Sequence, residues 1–477
     1  MALSKRSIVF HAVLTLVILL CLSGCFSDFM GNTGNLLISF GAGNSGHGRA
    51  IYTPNEIDRF EHEIILIGPG RTITRKFTGS GSFSVELAAG TWYVKIRAVD
   101  PPRHIQGETT PAELRALGMT TVEIKPGQSK AAKIDMLYAA EADSWSELQG
   151  SISYFEDVYG GQEQEAIFVL KDFEEGADGS PINIYSRITL IAERDDVTIM
   201  RRVEESGGEL LYYQGPFFNV EGGGVLKLKG DEGGRLILDG EGVDIFVSLI
   251  NVFDGDLEIY NGVLIQNNGA LDLQGGALCI MNNSSCTMYG GTIRNNTASS
   301  GGAVFLGKDS MNTYPEYPLF VMEGGTISGN TADEGGGVYV DGGTFTLRGG
   351  TISGNTVFYN GGGVCVGGGA FDMRGGTISG NTASGEHQGG ILDGAGGGVY
   401  VDGDGVFTKT DGTIYGSNGG GRKNTAELYG QAVYVVERKE NPLNGTEYRA
   451  IKERNTTAGP GVNLDSEGIN NWEIINP

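Results

Sequence analysis

Between Gly290 and Val435 the chain repeats one phrase, built from GGTISGN, GGGVYV and TFTLR. Its clearest copies begin at Gly324, Gly349 and Gly375, with looser ones at Gly290 and Asp411, and successive copies lie 34, 25, 26 and 36 residues apart. Each copy holds three short runs in which apolar and polar residues alternate, separated by glycines. Alternation over so few residues is the pattern of a strand with one buried face, and no run reaches helical length. In the copy from Gly324 the expected inward set is Ile327, Val338, Val340, Phe345 and Leu347; Thr326, Ser328, Tyr339, Thr346 and Arg348 are expected to face solvent.

One copy has no second layer on which to bury that set, whereas stacked copies bury it against each other. The repeat therefore predicts an all-β solenoid, a single-stranded parallel β-helix in which each strand pairs with its counterpart one coil on, about 4.8 Å away. Inward residues then form files of like on like. One file reads Leu264, Ile293, Ile327, Ile352, Ile378, Ile414; a second reads Leu257, Cys286, Phe320, Phe345, Phe371, Phe407. A third reads Ile259, Met288, Met322, Leu347, Met373, with Lys409 next in line as the core thins out. Asn267, Asn296, Asn330, Asn355 and Asn381 follow the first strand at a constant offset. They predict an amide ladder in a turn where asparagine also tolerates left-handed backbone. The 80 glycines among 477 residues exceed twice the usual share of about 7%, and their placement assigns them to corners.

Other segments follow different rules. Lys5 and Arg6, the apolar run from Ile8 to Leu22, and Leu22-Ser23-Gly24-Cys25 form a secretory signal rather than a membrane span. The last four residues resemble a bacterial lipobox, which implies cleavage before Cys25 and acylation of its thiol; several acyl chains anchor a protein stably. Residues 1–25 are thus expected as a lipoprotein signal peptide and 26–33 as a linker. Over residues 34–138 the strands are longer and the glycine repeat is absent, predicting a small antiparallel β-sandwich with Gly90 as a hairpin turn and a short helix from Pro111 to Leu117. The passage GSGSFSVELAAGTWYVKIRAV resembles transthyretin-like and carboxypeptidase-regulatory-like modules. Residues 139–158 carry a capping box, Ser144 and Glu147, with apolar residues at Trp145, Leu148, Ile152 and Phe155. They predict an amphipathic helix over the solenoid's open end. The solenoid is expected over 159–437, and 438–477 as a C-terminal cap or tail.

The repeats combine a GGA(I/V)-type motif (Gly301-Gly302-Ala303-Val304, Gly335-Gly336-Gly337-Val338, Gly361-Gly362-Gly363-Val364, Gly396-Gly397-Gly398-Val399) with an aliphatic-x-x-Asn motif (Ile327 to Asn330, Ile352 to Asn355, Ile378 to Asn381). This pairing, over about a third of the chain, is similar to the repeats of the chlamydial polymorphic outer membrane proteins, which have Phe where this chain has Ile. The resemblance implies a right-handed parallel β-helix of the pectin-lyase-like class displayed at a bacterial surface, often for adhesion. No counterpart of that family's C-terminal membrane barrel is read here, so the anchor is expected at Cys25.

The formal charge of −24 argues against nucleic acid as a partner, since phosphate recognition demands basic stripes. Cys279 and Cys365 fall in the outward file of Phe305 and Tyr339, three coils and so about 14 Å apart, too far to bridge; Cys286 falls inward. Three free thiols are expected. Asp341 and Asp402 share a file two coils apart with Gly367 between them, and Asp372 stands alone in its own. The acids of the irregular coils, Asp231, Glu232, Asp239, Glu241, Asp244 and Asp254, read as solvated turn residues. No catalytic residue, metal ligand or cofactor is assigned. The expected ligand surface is the aromatic row Phe305, Tyr339, Tyr400 and Tyr434, with Tyr314 and Tyr317 on the insertion Lys308 to Pro318 and His387 on that from Ser384 to Ala395. The expectation is a non-enzymatic adhesin, lipid-anchored at the outer membrane or cell surface, that binds a host or cell-surface glycan or protein. The alternative is a polysaccharide-binding or polysaccharide-cleaving protein.

Overall fold

The computed structural model describes residues 33–41, 59–79, 81–105, 108–110, 112–159, 165–171, 173, 180–206, 209–212, 215–307, 317–385, 394–428, 430–441, 445–453 and 472–475. The chain is all-β apart from one described α-helix and a short 3-10 turn, and it divides into two compact units, Met1–Leu137 and Tyr138–Pro477.

In the first unit Arg71–Thr78, Glu61–Gly68, Gly90–Asp100 and Glu113–Ile124 pair antiparallel in that order. A second sheet is mixed: Thr33–Gly41 runs antiparallel to Gly81–Ala88 and parallel to Ser129–Asp135. Leu36, Ile38, Leu87 and Ile134 of the second sheet share one core with Ile64, Leu66, Trp92, Val94 and Ile96 of the first, each large side chain contributing about 1.5–3 kcal/mol on burial. Two local expectations are corrected. Gly90 does not close a hairpin; it carries the chain from the second sheet to the first, because Gly81–Ala88 pairs with Thr33–Gly41 while Gly90–Asp100 pairs with Glu61–Gly68. Of the segment expected as a helix, Glu113 to Leu117 lie in the strand Glu113–Ile124, since the open edge of Gly90–Asp100 recruits that strand as a partner along its whole length; Pro111 lies outside the described residues.

In the second unit a long succession of parallel pairs begins at Leu137–Ala142, earlier than expected, because Tyr138 to Ala142 pair with Ala166 to Leu170. From there each strand pairs with its counterpart in the next repeat, and the registers give three faces. The phenylalanine file is continuous: Leu257, Cys286, Phe320, Phe345, Phe371 and Phe407 are successive partners. Neighbouring rings stack at centroid distances of 5.1, 4.8 and 5.0 Å. Ile259, Met288, Met322, Leu347 and Met373 form the parallel file beside it, which Lys409, fully buried, continues. The isoleucine file holds with one correction. Ile293 pairs with Ile265 and not Leu264, which pairs with Thr292 and lies in the neighbouring file, nearly buried at 8% exposure. The asparagine ladder carries the same one-residue slip, for Asn296 accepts the backbone N–H of Asn268.

The ladder itself runs Asn268, Asn296, Asn330, Asn355, Asn381, Asn424, each buried. The Oδ1 of Asn355 accepts both the backbone N–H (3.0 Å) and the Nδ2–H (2.9 Å) of Asn330, and Asn355 donates in the same way to Asn381. Its Nδ2 also reaches the carbonyl of Ile327 at 3.2 Å. Asn424, which follows a 3-10 turn and lies off the motif, closes the file by accepting from Asn381. The ladder residues do not take the left-handed backbone. The residue before each of the first five does: Asn267, Asn295, Gly329, Gly354 and Gly380, with φ of 56, 55, 65, 65 and 66°, whereas Lys423 before Asn424 is extended. At the other end the buried Arg201 donates to Asn268 Oδ1 (3.1 Å) and to the Gly215 carbonyl (2.6 Å) and lies 5.2 Å from the Phe217 ring centre. A Cβ on Gly240 would sit 2.6 Å from the Asn268 Cα and 2.7 Å from that same Oδ1, so glycine there lets the backbone approach the first ladder asparagine.

The succession changes character at both ends. The helix α1 (Trp145–Tyr159) buries Trp145, Leu148, Ile152 and Phe155. Ser144 Oγ accepts the Glu147 N–H, and Trp145 packs 6.0 and 5.6 Å from the rings of Phe217 and Phe218. Beyond Val433–Asn441 the pairing turns antiparallel through Gly445–Glu453 and Trp472–Ile475.

Candidate functional site

The outward file expected to bind ligand is one continuous register: Asn251, Cys279, Phe305, Tyr339, Cys365, Tyr400, Tyr434. It is not a surface. Phe305, Cys365, Tyr400 and Tyr434 are 2, 1, 6 and 0% exposed, and of the four aromatic residues in the row only Tyr339 is partly open. Phe305 stacks on Tyr339 at 5.8 Å and Tyr400 on Tyr434 at 5.7 Å. Tyr339 leans into the next coil, where a Cβ on Gly367 would meet its hydroxyl at 2.7 Å. Burial, and after it the carboxylates of Glu334, Asp402 and Asp341, hold the Cys365 thiol well above its ordinary range. Burial first, then Cys365 and Glu334, raises Tyr339; burial and Asp402 raise Tyr400. The file is therefore a protonated seam. Tyr317 is well exposed; Tyr314, His387 and Cys25 lie outside the described residues.

Cys279, Cys286 and Cys365 are free, as expected; Cys279 and Cys365, which were expected to face outward, are buried as Cys286 is, because the file they belong to is packed over. Burial pushes Cys279 up to about 12 and Cys286 higher, so neither supplies the thiolate that nucleophilic or redox chemistry needs.

Upstream the same file is polar. Asn219 donates to Asn183 at 3.0 Å and Asn251 to Asn219 at 3.2 Å, a second and more exposed amide ladder. Sequence reasoning missed it; the signal was an asparagine preceding an inward aliphatic residue in NIY, FNV and INV. The acids of the irregular coils make local turn contacts. Asp239 accepts from Gln266, Asn267 and the Glu241 N–H, Glu232 pairs with Arg194 at 2.7 Å, and Asp254 accepts from Asn283. Among the described residues no three His, Cys, Asp or Glu side chains gather as a metal site.

The open, regular surface is the third face. Its short strands read Thr-Ile-Ser, with Ile buried between two outward hydroxyl residues. Thr292, Thr326, Thr351, Thr377 and Thr413 are successive partners, as are Ser328, Ser353 and Ser379. All are half-buried. Among the described residues none of these hydroxyls has a hydrogen-bond partner in the protein. Arg294 replaces serine at one end, donating to Gln266, and Tyr415 follows Ile414 at the other. Round the left-handed turn a further threonine file follows, Thr297, Thr331, Thr356, Thr382 and Thr425. The expectation that Thr326 and Ser328 face solvent holds, but the array they belong to was not recognised as a site.

Comparison of the chain with protein-family models, with curated proteins and with solved structures finds no match.

Proposed function

We propose that the chain is an exported protein, acylated at Cys25, whose second unit is a right-handed parallel β-helix presenting a non-enzymatic recognition face: a cell-surface adhesin. The observation that carries this reading is the repeated, in-register hydroxyl face, five threonines deep. A catalytic centre needs singular residues brought together, whereas this surface offers copies, which suit multivalent contact with an extended ligand. The lipobox-like Leu22-Ser23-Gly24-Cys25 supports the anchor. A second reading, polysaccharide cleavage, draws on Glu334, Asp341 and Asp402, whose charges act together on the buried seam about Tyr339. One experiment separates the two. Full-length protein in detergent is applied to a glycan array and to a panel of polysaccharide substrates, and Cys25→Ser is fractionated beside wild type. Binding without turnover, with Cys25→Ser lost from the membrane fraction, supports the anchored adhesin; turnover overturns it.

A further inference from the structure

We propose that the threonine–serine face binds ice. This deepens the recognition reading and rests on it: the same face is given one ligand, water ordered as a crystal.

The face is a grid. Strand spacing sets rows about 4.8 Å apart along the succession, and alternate residues of one strand lie about 6.7 Å apart across it. The grid is stiff because each strand is pinned beneath by a buried isoleucine and, two residues past its serine, by a ladder asparagine with bonds to the coils on either side. Threonine is itself stiff at χ1, so along the threonine file the choice of orientations for hydroxyl and methyl is narrow.

Its chemistry narrows the ligand. Every position of the regular stretch, from Thr326 to Ser379, offers a hydroxyl that both donates and accepts, and none is used inside the protein. The two files contain no charge and no aromatic ring there. A sugar would call for a ring to stack on or a carboxylate or amide to grip neighbouring hydroxyls; neither is present in the files. One hydroxyl contributes little on its own, so useful affinity comes only from a ligand whose own donors and acceptors recur on the same grid. Ice is such a ligand, with oxygens in rows that donate and accept in equal measure. Water bridging two such hydroxyls is nearly as favourable as a direct bond between them.

The test is partition into a slowly grown ice hemisphere, using full-length protein in detergent, with the freezing-point gap read beside it. Wild type is expected to enter the ice, and Thr351→Lys, which plants a charge mid-grid, to enter at least tenfold less. Thr351→Val keeps the shape and removes one hydroxyl, so it guards against a folding defect; it should fold as wild type and lose part of the partition. Asp372→Asn, on a different face, should match wild type. Exclusion of wild type from ice overturns the proposal. Capture on insoluble cellulose that Thr351→Lys abolishes, together with exclusion from ice, also overturns it but leaves the recognition reading standing. Loss of every ligand, glycans included, sinks both.

Discussion

Asn355 is bound on every polar atom of its side chain. It accepts twice from Asn330 and donates to Ile327 and Asn381. Leucine has nearly its volume but none of these bonds, and each buried group it strands costs about 1–3 kcal/mol. Asn355→Leu should therefore lower stability by about 3–5 kcal/mol, measured as the shift in denaturant midpoint; a shift below about 1 kcal/mol would mean that the ladder is decorative. Gly354, one residue earlier, is a contrasting case. It needs left-handed backbone but has open space around it, and Asn295 already fills the equivalent position with φ of 55°. Gly354→Asn should be close to neutral, whereas Gly354→Val should cost about 2 kcal/mol or more, because a branched side chain resists that backbone; thermal melts of the pair decide it. The same substitution explains why sequence reasoning slipped by one residue upstream. In VLIQNNGA the glycine position holds Asn267, so two asparagines and two aliphatic residues stand side by side, and alternation alone does not say which of each turns inward.

Elements were legible where a single period ruled. The face of α1 was readable because Trp145, Leu148, Ile152 and Phe155 follow helical spacing and nothing competes with it. The segment from Pro111 misled because Leu114 and Leu117 also suit a helix, while the neighbouring strand's unpaired edge, invisible in local sequence, decided the outcome. The helix also carries a titrating contact. Glu156 accepts the N–H groups of Tyr185 and Ser186 at 2.8 and 3.1 Å, yet burial outweighs them and raises its pKa. A raised carboxylate binds its proton more readily in the folded protein than in the unfolded chain. Its charge thus costs stability above that raised pKa, and the cost fades as pH falls toward the ordinary glutamate range. Glu156→Gln keeps an acceptor and removes the charge, so it should melt higher than wild type at neutral pH and lose that advantage in acid. Melts across the pH range check it; an advantage that grows in acid would contradict the assigned cause.

For the whole molecule, the repeat announced the parallel stacking and its files, but not what covers the outside. Alternation places Phe305, Tyr400 and Tyr434 opposite the inward valines, and says nothing of the packing that leaves them almost without exposure. The hydroxyl face escaped notice for the opposite reason. Thr and Ser are ordinary strand and turn residues one at a time, and become an array only when registers are known. Everything then rests on register, and cysteine pairs test it directly. With Thr326→Cys and Thr351→Cys together, the two Cα atoms lie one strand spacing apart, about 4.8 Å, within the span of a disulfide. With Thr326→Cys and Thr377→Cys they lie about 9.6 Å apart, beyond it. Under mild oxidation of the full-length protein the first pair should close within one chain and the second should stay reduced. Failure of the first, or equal closure of both, would contradict the stacking on which the faces and their proposed functions depend.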